Sequence, residues 1–61
     1  MFIKLTIEKG NFFYMNVASI ESIYPWPGGK SRVFLTTSED NFCDVKETPE
    51  EIMVLIENLN T

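Results

Sequence analysis

Histidine is absent from this chain, and cysteine occurs once, at Cys43. The first absence removes zinc sites of the Cys/His kind and the imidazole base that usually activates a nucleophile. The second removes any intramolecular disulfide. Basic residues are few: five Lys and Arg stand against nine Asp and Glu, for a net charge of −4. That balance works against nucleic-acid binding, where phosphate contacts supply much of the affinity. No apolar run approaches the roughly 18 residues that span a bilayer. The opening stretch MFIKLTIEKG is too short and too interrupted by charge to be a signal peptide. A lone cysteine suits a reducing compartment, so a cytoplasmic setting is expected.

Length sets the next limit. Sixty-one residues form one domain, 1–61. A chain this short buries only about 60% of its extended surface, and one such core contributes roughly 3–5 kcal/mol unaided. Small domains compensate with disulfides, a metal or association. Only association is open here, so a homo-oligomer is expected.

The chain alternates apolar and polar residues over several short runs. Phe2 to Glu8 reads as a strand, with Ile3, Leu5 and Ile7 on one side. Lys9-Gly10-Asn11 is a turn, and Phe12 to Met15 returns as a second strand. Val17 and Ile20 are three apart, which fits one helical turn capped by Asn16. Ile20 to Tyr24 resumes as a strand that Pro25 ends. Arg32 to Thr37 and Phe42 to Lys46 are two more strands, joined by a turn over Ser38-Glu39-Asp40-Asn41.

The last segment begins a helix in four residues. Thr48 caps it, Pro49 takes the first helical position, and Glu51 completes a capping box. Ile52, Leu55, Ile56 and Leu59 then form one apolar stripe. The fold class is α+β: an antiparallel sheet of four or five strands with one C-terminal helix packed on one face.

Residue parity divides the sheet. Odd positions are mainly aliphatic and suit the helix. Even positions carry Phe2, Phe12, Tyr14, Phe34 and Phe42 among Lys4, Thr6, Arg32, Thr36, Asp44 and Lys46. A single helix covers a single face, so the second, aromatic face needs another cover. Exposed aromatic patches of this kind mark interfaces.

YPWPGGKSR, residues 24–32, holds the only tryptophan and ends in a Gly-Gly-Lys-Ser that resembles part of a phosphate loop. A phosphate loop needs a glycine at position 24 and a helix after Ser31. Tyr24 occupies the first, and a strand pattern follows the second. The stretch reads as a hairpin connection that carries Trp26, a residue type enriched at binding hot spots. Catalytic, metal and cofactor sites are not expected, nor is enzymatic activity. Cys43 reads as a small core hydrophobe. Glu47, Glu50 and Glu51 are accounted for by the helix start.

The strand and cap segments Ile3-Lys4-Leu5-Thr6, Phe13-Tyr14-Met15-Asn16, Ile20-Glu21-Ser22-Ile23, Val33-Phe34-Leu35-Thr36 and Val45-Lys46-Glu47-Thr48-Pro49-Glu50-Glu51, with the turn at Gly10, resemble the small FlbD/swarming-motility (SwrD-like) proteins and similar short bacterial and phage proteins. That resemblance implies a non-enzymatic cytoplasmic accessory, linked to flagellar function or encoded by a phage. The PWPGGK insertion departs from the family's shorter turn.

The expected function is an accessory or adaptor protein that self-associates and binds a protein partner. The residues expected to carry it are Phe12, Tyr14, Tyr24, Trp26, Lys30, Arg32, Phe34 and Phe42. Lys30 and Arg32 would steer an acidic or phosphorylated group. Two alternatives use the same residues. One is an oligomeric nucleotide or small-ligand sponge with sites between subunits, lined by Tyr14, Trp26, Lys30 and Arg32. The other is a single-stranded nucleic-acid binder that stacks bases on the aromatic face.

Overall fold

The computed structural model describes residues 1–37 and 41–59. Five strands run in chain order: β1 Phe2–Thr6, β2 Phe12–Asn16, β3 Ile20–Trp26, β4 Lys30–Leu35 and β5 Phe42–Val45. One helix, α1, follows at Pro49–Asn58. All strand pairings are antiparallel, so the α+β class read from periodicity is the observed one. The strands divide into two sheets instead of one: β1-β2, and β3-β4-β5.

The division falls between β2 and β3, and the end of β1 links the two sheets. β1 pairs with β2 from Phe2↔Asn16 to Thr6↔Phe12. Alternation continues to Glu8, but β1 stops at Thr6. Ile7 instead forms a single antiparallel bridge to Val45, and the Lys46 N–H donates to the Thr6 carbonyl at 2.8 Å. The end of β1 therefore leans on the end of β5. This curls the two sheets around a common interior.

The interior is the odd-numbered face. Ile3, Leu5, Met15, Val33 and Val45 are buried with Ile52 of α1, and Phe13, Leu35 and Cys43 pack around them. These strand residues are odd, as pleating requires when one side is buried. Ile20 of β3 joins the core from an even position because the register shifts between Ile20 and Ser22. The helix adds Leu55, Ile56 and Leu59 beside Ile52. Its start is as expected: the Thr48 side chain accepts from the Glu51 N–H, and the Glu51 side chain accepts from the Thr48 N–H.

Between β2 and β3, Val17–Ser19 form a single 3-10 turn, and the Asn16 side chain accepts from the Ala18 N–H. β3 does not end at Pro25 but continues to Trp26, which pairs with Lys30. β3 is an edge strand, and an edge has a side on which no N–H is needed. Pro27-Gly28-Gly29 closes the hairpin, with positive φ of 90° at Gly28 and 74° at Gly29 that only glycine adopts freely. Strand β4 starts at Lys30 and ends at Leu35, and β5 ends at Val45, each shifted from the alternation limits. Of the turn expected at 38–41, residues 38–40 lie outside the described part. The Asn41 carbonyl accepts from the Leu35 N–H at 2.9 Å.

Candidate docking surface

The outer face of β3-β4-β5 is built from three cross-strand rows. Trp26 lies opposite Lys30; Tyr24 lies opposite Arg32, which lies opposite Asp44; Ser22 lies opposite Phe34, which lies opposite Phe42. Arg32 is the centre of this array. Its side chain makes a two-pronged ion pair with Asp44, Nε to Oδ1 at 2.8 Å and Nη2 to Oδ2 at 3.0 Å. Its guanidinium carbon lies 3.9 Å from the Trp26 ring centroid and 4.1 Å from that of Phe42. Both aromatic partners are diagonal neighbours in the register, a separation that long side chains bridge. Phe34 links the rows, with its ring centroid 5.4 Å from Tyr24 and 5.8 Å from Phe42.

Phe34 is half-buried, whereas the other three rings are held in place yet remain exposed. Tyr24 is 53% exposed, Trp26 43% and Phe42 44%. A cleft of about 430 Å³ opens among Glu21, Ser22, Tyr24, Pro25, Trp26, Arg32 and Phe34. The charged centre is neutralised locally. Arg32 holds the Asp44 carboxyl below the usual carboxylate range, first by its hydrogen bonds and then by its charge.

The expected aromatic set does not form one patch. Phe2, Phe12 and Tyr14 occupy the outer face of β1-β2. There Phe12 and Tyr14 meet edge to face at 6.0 Å, and the Lys4 ammonium sits 4.2 Å from the Phe12 centroid. The expected set is thus split between two sheets: Tyr24, Trp26, Arg32, Phe34 and Phe42 come together, whereas Phe12 and Tyr14 belong to a second cluster. Lys30 turns toward β1's end and pairs with Glu8.

Gly-Gly-Lys-Ser has a structural role. Ser31 is fully buried, and its hydroxyl donates to the Glu47 carbonyl at 2.7 Å. Strand β4 continues through it, so Ser31 does not open a helix as a phosphate loop requires. Glu47, assigned from sequence to the helix start, instead ties β1 to the segment after β5. Its carboxylate accepts from the Thr6 N–H at 2.9 Å and the Thr6 hydroxyl at 2.8 Å. Nothing in local sequence signals that contact, because its partners are 41 positions apart. A second cleft, of about 580 Å³, lies beside this contact between α1 and β1. Two of its carboxylates, Glu47 and Glu51, are already engaged by Thr6 and by the helix cap.

Cys43 is half-buried, and burial first, then nearby Asp44, raises its thiol above the ordinary value. Among the described residues, no group of three or more His, Cys, Asp or Glu is placed to hold a metal ion. Among the same residues, no helix is long and apolar enough to cross a membrane. The chain matches no protein-family model, no curated protein and no solved structure.

Proposed function

We propose that this chain is a non-enzymatic interaction module of the cytoplasm that self-associates and docks a protein partner on the outer face of β3-β4-β5. The observation that carries this reading is the Arg32-centred array, in which Trp26 and Phe42 flank one guanidinium and stay exposed. Rings already fixed by their neighbours lose little freedom on docking, which preserves affinity. Tryptophan, tyrosine and arginine are the residue types that dominate interface energetics. The helix sits across the interior from this face and cannot cover it. An accessory role, flagellum-related or phage-encoded, accords with the resemblance to FlbD/SwrD-like proteins.

The test is capture from a native extract with the wild-type chain and with Trp26→Ala, identifying what binds by mass spectrometry. The reading requires that Trp26→Ala lose a specific protein while keeping its folded spectrum. Undiminished capture by the folded variant places the contact elsewhere.

A further inference from the structure

The edges of β3 and β2, each in its own sheet, differ sharply in chemistry. The edge of β3 carries Glu21, an irregular register between Ile20 and Ser22, and Pro25. Charge, bulge and proline are the devices that keep an edge from pairing with another chain. The edge of β2 has none of them. Phe12–Asn16 reads FFYMN, without charge or proline, and among the described residues it pairs with β1 alone.

The register decides which backbone groups this edge presents. The Ile7 N–H donates to the Asn11 carbonyl, and the Val17 N–H to the Met1 carbonyl. In an antiparallel ladder, hydrogen-bonded pairs alternate with pairs that are not. Counting inward by twos from both ends, Leu5↔Phe13 and Ile3↔Met15 exchange bonds within the hairpin. Phe12, Tyr14 and Asn16 are the alternate residues, so their N–H and C=O groups point away from β1, although the Asn16 carbonyl already serves the 3-10 turn that Asn16 caps.

We propose that β2 pairs antiparallel with β2 of a second copy of this chain, with the two-fold axis at Tyr14. This rests on the self-association proposed above and names its surface. The axis sets Tyr14 opposite its own counterpart and Phe12 opposite Asn16, all residues whose backbone groups point outward. Phe13 then meets Met15 across the axis on the interior side, extending the core into the other copy. The arrangement is self-complementary, as a two-fold interface must be. It also turns two two-stranded sheets, each marginal alone, into a single four-stranded one. Two chains of net charge −4 can approach here because Lys4 is the one charged residue on β1 and β2.

Amide hydrogen exchange read by NMR, at a concentration where sedimentation gives a dimer and at one where it gives a monomer, tests this. The Phe12, Tyr14 and Asn16 amides are expected to exchange slowly in the dimer and fast in the monomer, while Phe13 and Met15 stay protected in both. Tyr14→Lys, at a position 63% exposed and so harmless to the core, is expected to sediment as a folded monomer. A dimer in which the Phe12, Tyr14 and Asn16 amides exchange freely, or which Tyr14→Lys leaves intact, overturns the β2 pairing and leaves self-association standing. A chain that is monomeric at every concentration overturns both.

Discussion

Arg32 and Trp26 lie diagonally on adjacent strands, two residues out of register, with the guanidinium carbon 3.9 Å from the ring centroid. The contact is a planar cation against an aromatic face, with Asp44 gripping the same guanidinium from the other strand. Lysine cannot reproduce either feature, since it is a point charge without a fork or a plane. Arg32→Lys is therefore expected to fold but to be less stable than the wild-type chain, because it loses both the stacking and the two-pronged pair. Thermal unfolding is expected to show a lowered midpoint, and an unchanged midpoint would mean that the array adds nothing to stability.

The Asp44 carboxyl titrates below its ordinary range because Arg32 hydrogen-bonds its charged form. A carboxylate depressed in the folded state adds stability that is complete above its unfolded value, about 3.9. That stability is lost as pH falls through the lower folded value. Carbon-13 NMR should find the Asp44 midpoint below the ordinary aspartate value, about 3.9, and Arg32→Gln should return it toward that value. A normal midpoint in the wild-type chain would mean that the pair is not formed in solution.

Glu47 joins the two sheets through the backbone and hydroxyl of Thr6. Hydrogen bonds to a charged group contribute roughly 1.5–3 kcal/mol. Glu47→Ala should lose about that much in chemical denaturation. Glu50→Ala, an exposed helix residue, should lose far less. Equal losses would return Glu47 to the role of a helix-start residue.

The Cys43 thiol is raised by burial and by Asp44, so its reactive thiolate is scarce at neutral pH. Alkylation of the native chain should be much slower than that of the denatured chain, and Asp44→Asn should raise the native rate modestly.

Local chemistry made much of this fold readable. The capping box at Thr48 and Glu51, the stripe from Ile52 to Leu59, the Asn16 cap and the odd-numbered interior all depend on residues close in sequence. Most of the aromatic set is legible as exposed, but the half-burial of Phe34 and the division of the set are not. That division lies between β2 and β3, which do not pair, and the sheets are linked by contacts between distant segments such as Ile7 with Val45. Pro25 looked like a strand end because its tolerance depends on β3 being an edge, which only topology decides. The bonds from Thr6 and Ser31 to Glu47 were likewise invisible, since they join segments far apart along the chain.

Self-association through the β2 edge is central to the proposed role, and it leaves the aromatic face of β3-β4-β5 open for the protein partner. Sedimentation equilibrium across a wide concentration series measures this most directly. The account predicts a mass that rises from one chain toward a defined multiple as concentration increases. A mass fixed at one chain up to the highest concentrations would contradict it.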